Sequence, residues 1–61
     1  MFDEIEEVTR RYLVIVNNDL AYAKKDAQYY NDETLKKVCR LRDSLKTAHE
    51  TAAELNALAG K

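Results

Sequence analysis

A single polar, turn-competent break, Tyr29-Tyr30-Asn31-Asp32-Glu33, separates two long amphipathic segments of nearly equal length. The chain has no proline and one glycine, Gly60, so little else interrupts a helix. This layout predicts an all-α protein: one domain over 1–61, with helix 1 at about 4–30, a turn at 31–32 and helix 2 at about 33–59. The two helices would form an antiparallel hairpin.

Asp3 followed by Glu4-Ile5-Glu6 fits a capping box, with the Asp3 carboxylate on the Glu6 amide and the Glu6 side chain returning to the Asp3 amide. Glu4, Glu6 and Glu7 also suit the positive end of a helix dipole. Apolar residues recur at Ile5, Val8, Tyr12, Ile15 or Val16, Leu20, Ala23, Ala27 and Tyr30, in steps of three and four. The β-branched run Val14, Ile15 and Val16 also has strand character. A strand at 12–16 would give the order strand, helix, helix, which resembles a ribbon-helix-helix repressor in layout.

At the turn, Asn31 tolerates the left-handed conformation that ends a helix, and Asp32 is a good N-cap for the next one. Helix 2 carries Val38, Leu41, Leu45, Ala48, Ala52, Leu55 and Ala59 in strict 3,4 steps, a heptad of core positions, with Leu35 and Leu58 widening its ends. Gly60 is placed to stop it, and Lys61 suits the negative pole of the dipole. Folding at Asn31 sets residues whose numbers sum to about 62 or 63 side by side. Ala48 and Ala52 would then oppose Tyr12, Ile15 and Val16, small against large.

A chain of 61 residues buries too little to offset roughly 1 to 2 kcal/mol per residue of backbone ordering without a staple or a partner. One cysteine, Cys39, makes no internal disulfide, and with one histidine, His49, it falls short of a zinc ligand set. Leu13, Val14, Ile15 and Val16 sweep nearly the whole circumference of helix 1, so apolar surface remains after one hairpin is packed. A homodimer forming a four-helix bundle is expected, with Leu13, Val14, Ile15, Val16, Leu41, Leu45, Ala48, Ala52 and Leu55 as its dimer and core residues.

The formal charge is -1, but it is uneven: residues 1–21 sum to -3, residues 22–46 to +3 and residues 47–61 to -1. Setting the basic turn end of one copy beside the acidic open end of another favours an antiparallel dimer.

A capped helix, a short polar turn, a heptad second helix and two-fold pairing together resemble, in layout, the small antiparallel hairpin dimers that plasmids and bacteriophages encode as accessory regulators, the Rop family among them. The resemblance covers the whole chain without a shared residue motif. It implies a small phage or mobile-element regulator that acts by binding.

No catalytic constellation is present. His49 has no serine or carboxylate at the spacing of an oriented pair, and Cys39 reads as an inert thiol. No metal site or cofactor is expected, because Ala48-His49-Glu50 matches neither a calcium loop nor a di-iron motif. A non-enzymatic protein docking on a larger protein partner is therefore expected. The alternative is an RNA- or DNA-binding dimer using the basic turn end, where Lys24, Lys36, Lys37 and Arg40 surround Tyr29. The longest apolar run, Leu13 to Val16, is far shorter than the roughly twenty residues of a membrane span, and no basic, apolar leader opens the chain, so a cytoplasmic location is expected.

Overall fold

The computed structural model describes residues 1–60. Two antiparallel helices, α1 (Asp3–Lys25) and α2 (Asp32–Ala59), pack along their length in a hairpin 48 × 16 × 12 Å. Residues 12–16 are helical, which removes the ribbon-helix-helix layout. The acidic turn and the steps of three and four outweigh the strand preference of three β-branched residues.

The ends of the helices differ from expectation in ways that local hydrogen bonds explain. Asp3 is already helical and the N-cap is Phe2, whose carbonyl accepts the Glu6 amide at 3.0 Å. No side chain caps this end, so the Asp3–Glu6 capping box does not form. The Glu6 carboxylate instead accepts from Asn56 Nδ2 at 3.0 Å, across the hairpin.

α1 stops at Lys25 rather than Tyr30. Asp26 takes an extended conformation, and its carboxylate accepts the Gln28 amide at 3.0 Å in a local turn that competes with continued helix. The cap of α2 is Asn31, not Asp32: its side chain accepts the Thr34 amide at 2.7 Å, with Asp32 and Glu33 in the first helical turn. Asn31 has φ -74°, so no left-handed residue is used there. Gly60 follows α2 in a right-handed conformation, and Lys61 lies outside the described residues.

The connection occupies residues 26–31, centred earlier than the predicted turn, and the register shifts with it. Phe2 lies opposite Asn56 and Thr9 opposite His49, pairs that sum to 58 rather than 62 or 63.

The seam also uses a different face of each helix from the one the apolar pattern suggests. On α1 and its cap the buried and half-buried residues Phe2, Glu6, Thr9, Leu13, Val16, Leu20 and Ala23 form the seam stripe, with Asp19 half-buried beside it. On α2 the stripe is Leu35, Val38, Arg42, Leu45, His49, Ala52 and Asn56, with Thr34, Cys39 and Ala53 half-buried at its edges. Val38, Leu45 and Ala52 belong to the predicted heptad, but Leu41, Ala48 and Leu55 are exposed, and Arg42, His49 and Asn56 take their places.

Candidate interaction surfaces

The polar residues in the seam are satisfied there. The Phe2 amide donates to Asn56 Oδ1 at 2.7 Å, so Asn56 bridges the start of α1 by both ends of its amide. His49 Nδ1 lies 2.8 Å from the Glu6 carbonyl and 3.1 Å from Thr9 Oγ1. A carbonyl only accepts, so Nδ1 carries the proton, while the Thr9 hydroxyl donates back to the Ile5 carbonyl at 2.6 Å. No buried side-chain nitrogen or oxygen among the described residues lacks a partner. His49 is thus occupied in holding the two helices together.

Turning each helix toward these contacts leaves an apolar face outside. Ile5, Val8, Tyr12, Ile15 and Tyr22 each precede a seam residue of α1 by one position, and Leu41, Ala48 and Leu55 do the same on α2. One position is a rotation of 100° about the helix axis. In an antiparallel pair, the same sense of rotation on both helices leads to the same side of the hairpin. All eight residues therefore line one broad face, and all eight are exposed, Tyr12 at 53% and Leu41 at 51%.

The opposite side is polar. A shallow groove runs along it between Leu13, Asn17 and Lys24 of α1 and Leu35, Arg42 and Lys46 of α2.

The residues expected at the dimer and core are divided by this geometry. Val16 and Ala52 are buried and Leu13 and Leu45 half-buried in the intramolecular seam; Ile15, Leu41, Ala48 and Leu55 lie on the free apolar face. Val14, 55% exposed, points to neither.

The candidate nucleic-acid residues are divided between the sides of the hairpin: Lys24 and Lys36 each follow a seam residue, Ala23 and Leu35, and share the groove side, whereas Lys37 precedes Val38 on the other. Lys24 borders the groove, Lys37 pairs with Glu33 at 3.5 Å within α2, and Arg40 lies near Ser44 and Ala48. Lys36 is exposed on α2. Tyr29 packs between Tyr22 and Tyr30, with ring centroids 5.0 and 4.6 Å away, in tilted and edge-on contacts that close the turn. Tyr30 is half-buried, and its hydroxyl is raised above the usual tyrosine value of 10.0 by desolvation, by the Asp19 carboxylate and by Tyr29.

Thr9, Asn56 and the seam role of His49 are not visible in the apolar pattern. They stand three and four residues from apolar neighbours, but polar residues do not register in an apolar periodicity.

Among the described residues, no three histidine, cysteine, aspartate or glutamate side chains converge as metal ligands. Among the described residues no helix is long and apolar enough to cross a membrane. Comparison with protein-family models, curated proteins and solved structures finds no match.

Proposed function

We propose that this chain is a non-enzymatic regulatory protein that works as a homodimer of helical hairpins and docks on a larger protein. The observation that carries the reading is the apolar face formed by Ile5, Val8, Tyr12, Ile15 and Tyr22 with Leu41, Ala48 and Leu55.

The exposed area supports a second copy as its cover. The hairpin exposes 5049 Å², whereas a compact monomer of 7.0 kDa exposes about 4,000 Å². The surplus, roughly 1,000 Å², is close to the ~800 Å² that each partner contributes to a standard interface. Within one copy, among the described residues, only Val16, Leu20 and Ala52 are buried apolar residues, a small core for a chain of this size.

The face is self-complementary about a two-fold axis perpendicular to the helices. With the axis at mid-hairpin, Tyr12 of one copy meets Ile15 of the other and Ile5 meets Tyr22, while Val8 falls opposite Asp19, the carboxylate on this face. On α2 the axis passes near Ser44 and sets Leu41 of one copy over Ala48 of the other, large against small. Turns then lie at opposite ends, which places the cations of residues 22–46 beside the acidic first turn of the partner copy.

Crosslinking tests this arrangement. In a Cys39→Ser background, Ser44→Cys is expected to crosslink to itself in a second copy under mild oxidation, while Leu58→Cys stays reduced. A chain that sediments as a monomer, or that crosslinks through Leu58→Cys and not Ser44→Cys, rules out this dimer.

A further inference from the structure

We propose that the groove on the polar side of the hairpin receives an acidic amphipathic helix of the partner protein. This rests on the reading of the chain as an interaction protein and names the chemistry of what it binds. The groove has Leu20, Leu35 and Cys39 as its floor and Lys24, Arg42 and Lys46 as its rim.

Three features select the occupant. The floor is apolar and lies between two helices, which suits an apolar helix ridge better than a nucleic-acid backbone. From Leu13 to Lys24 the groove spans about 16 Å, room for roughly three turns of helix.

Its rim is cationic and partly uncommitted. Among the residues lining the groove Asp43 is the one carboxylate, and Arg42 holds it through Nε and Nη2 at 3.1 and 3.0 Å. Among the described residues, neither Lys24 nor Lys46 has an anion within ion-pair distance. Carboxylates flanking a bound apolar ridge would reach both. Because the groove lies opposite the apolar face, pairing of two copies leaves it open to solvent on each.

The test uses the full chain and a fluorescent helical peptide of about 18 residues, leucines along one face and glutamates on its flanks. A lysine-for-glutamate version and a single-stranded oligonucleotide serve as comparisons. The acidic peptide is expected to bind, to weaken as salt rises, and to slow alkylation of Cys39 on the groove floor. Arg42→Gln with Lys46→Gln is expected to weaken it about tenfold with helicity unchanged, while Lys37→Gln, on the other side of the hairpin, leaves it as before.

Equal binding to both variants, or alkylation of Cys39 at an undiminished rate, overturns the proposal. So does oligonucleotide binding that depends on Arg42 and Lys46 in the absence of peptide binding. Sedimentation of the same samples separates this result from the dimer. A monomer whose Cys39 is protected removes the face-to-face pairing and keeps the groove; a dimer without protection does the reverse.

Discussion

At the scale of single residues, polar contacts decide what the apolar pattern leaves open. His49 and Asn56 would ordinarily be assigned to a solvated flank, yet both sit half-buried because Thr9, Glu6 and the Phe2 amide complete their hydrogen bonds. The tyrosines at the turn behave similarly, their rings closing the connection rather than standing free. Tyr30 gives this a measurable sign. Its proton is held more tightly in the folded chain, so its contribution to stability is present below pH 10.0 and is lost as pH rises through the higher folded value. A phenolate absorbance titration should show one of the four tyrosines ionising later than an unperturbed phenol, and Tyr30→Phe should remove that late component. Loss of a different component would assign the shift to another ring.

At the scale of the element, the two-helix hairpin and the cap-rich break near residue 31 were legible in the sequence, and the facing of the helices was not. The apolar spacing predicts Ile5, Val8, Tyr12, Leu41, Ala48 and Leu55 as the inner stripe, and the hairpin turns them outward. Apolar spacing reports that a helix has a face to bury; it does not say which neighbour covers it. Where two stripes lie side by side, as Leu41 and Arg42 do, the choice falls to hydrogen bonds that a single sequence does not display. The early end of α1 was hidden for the same reason, since Asp26 looks like any helical acid until its carboxylate finds the Gln28 amide. The alanines of α2 test the facing. Ala52→Leu should cost roughly 1 to 3 kcal/mol in a urea melt, because the residue is 4% exposed in the seam. Ala57→Leu, on the surface, should be near neutral. Ala48→Leu should leave the hairpin itself intact and disturb only association, read as a lowered dimer fraction at equal helicity. Equal costs at positions 48 and 52 would return the seam to the apolar heptad.

At the scale of the whole molecule, a rod 48 Å long in which, among the described residues, Val16, Leu20 and Ala52 are the buried apolar side chains has little core of its own, and the proposed dimer would supply the rest. Its thermal midpoint should therefore rise with protein concentration. Ile15→Glu should abolish that dependence, whereas Val14→Glu, one position away and off the face, should keep it. A wild-type midpoint independent of concentration would show that the hairpin stands alone. The polar seam bears on how such a chain can diverge. Val38, Leu45 and Ala52 serve either of two seams, and only the residues beside them, Arg42, His49 and Asn56 against Leu41, Ala48 and Leu55, tell those seams apart. Drift at His49 and Asn56 toward lysine would leave every apolar residue in place and still reverse the preference, because the seam hydrogen bonds would go and a charge would resist burial there. A descendant could then exchange its inner face for its outer one, and acquire a new set of partners, without altering a single residue of the surface it had used before.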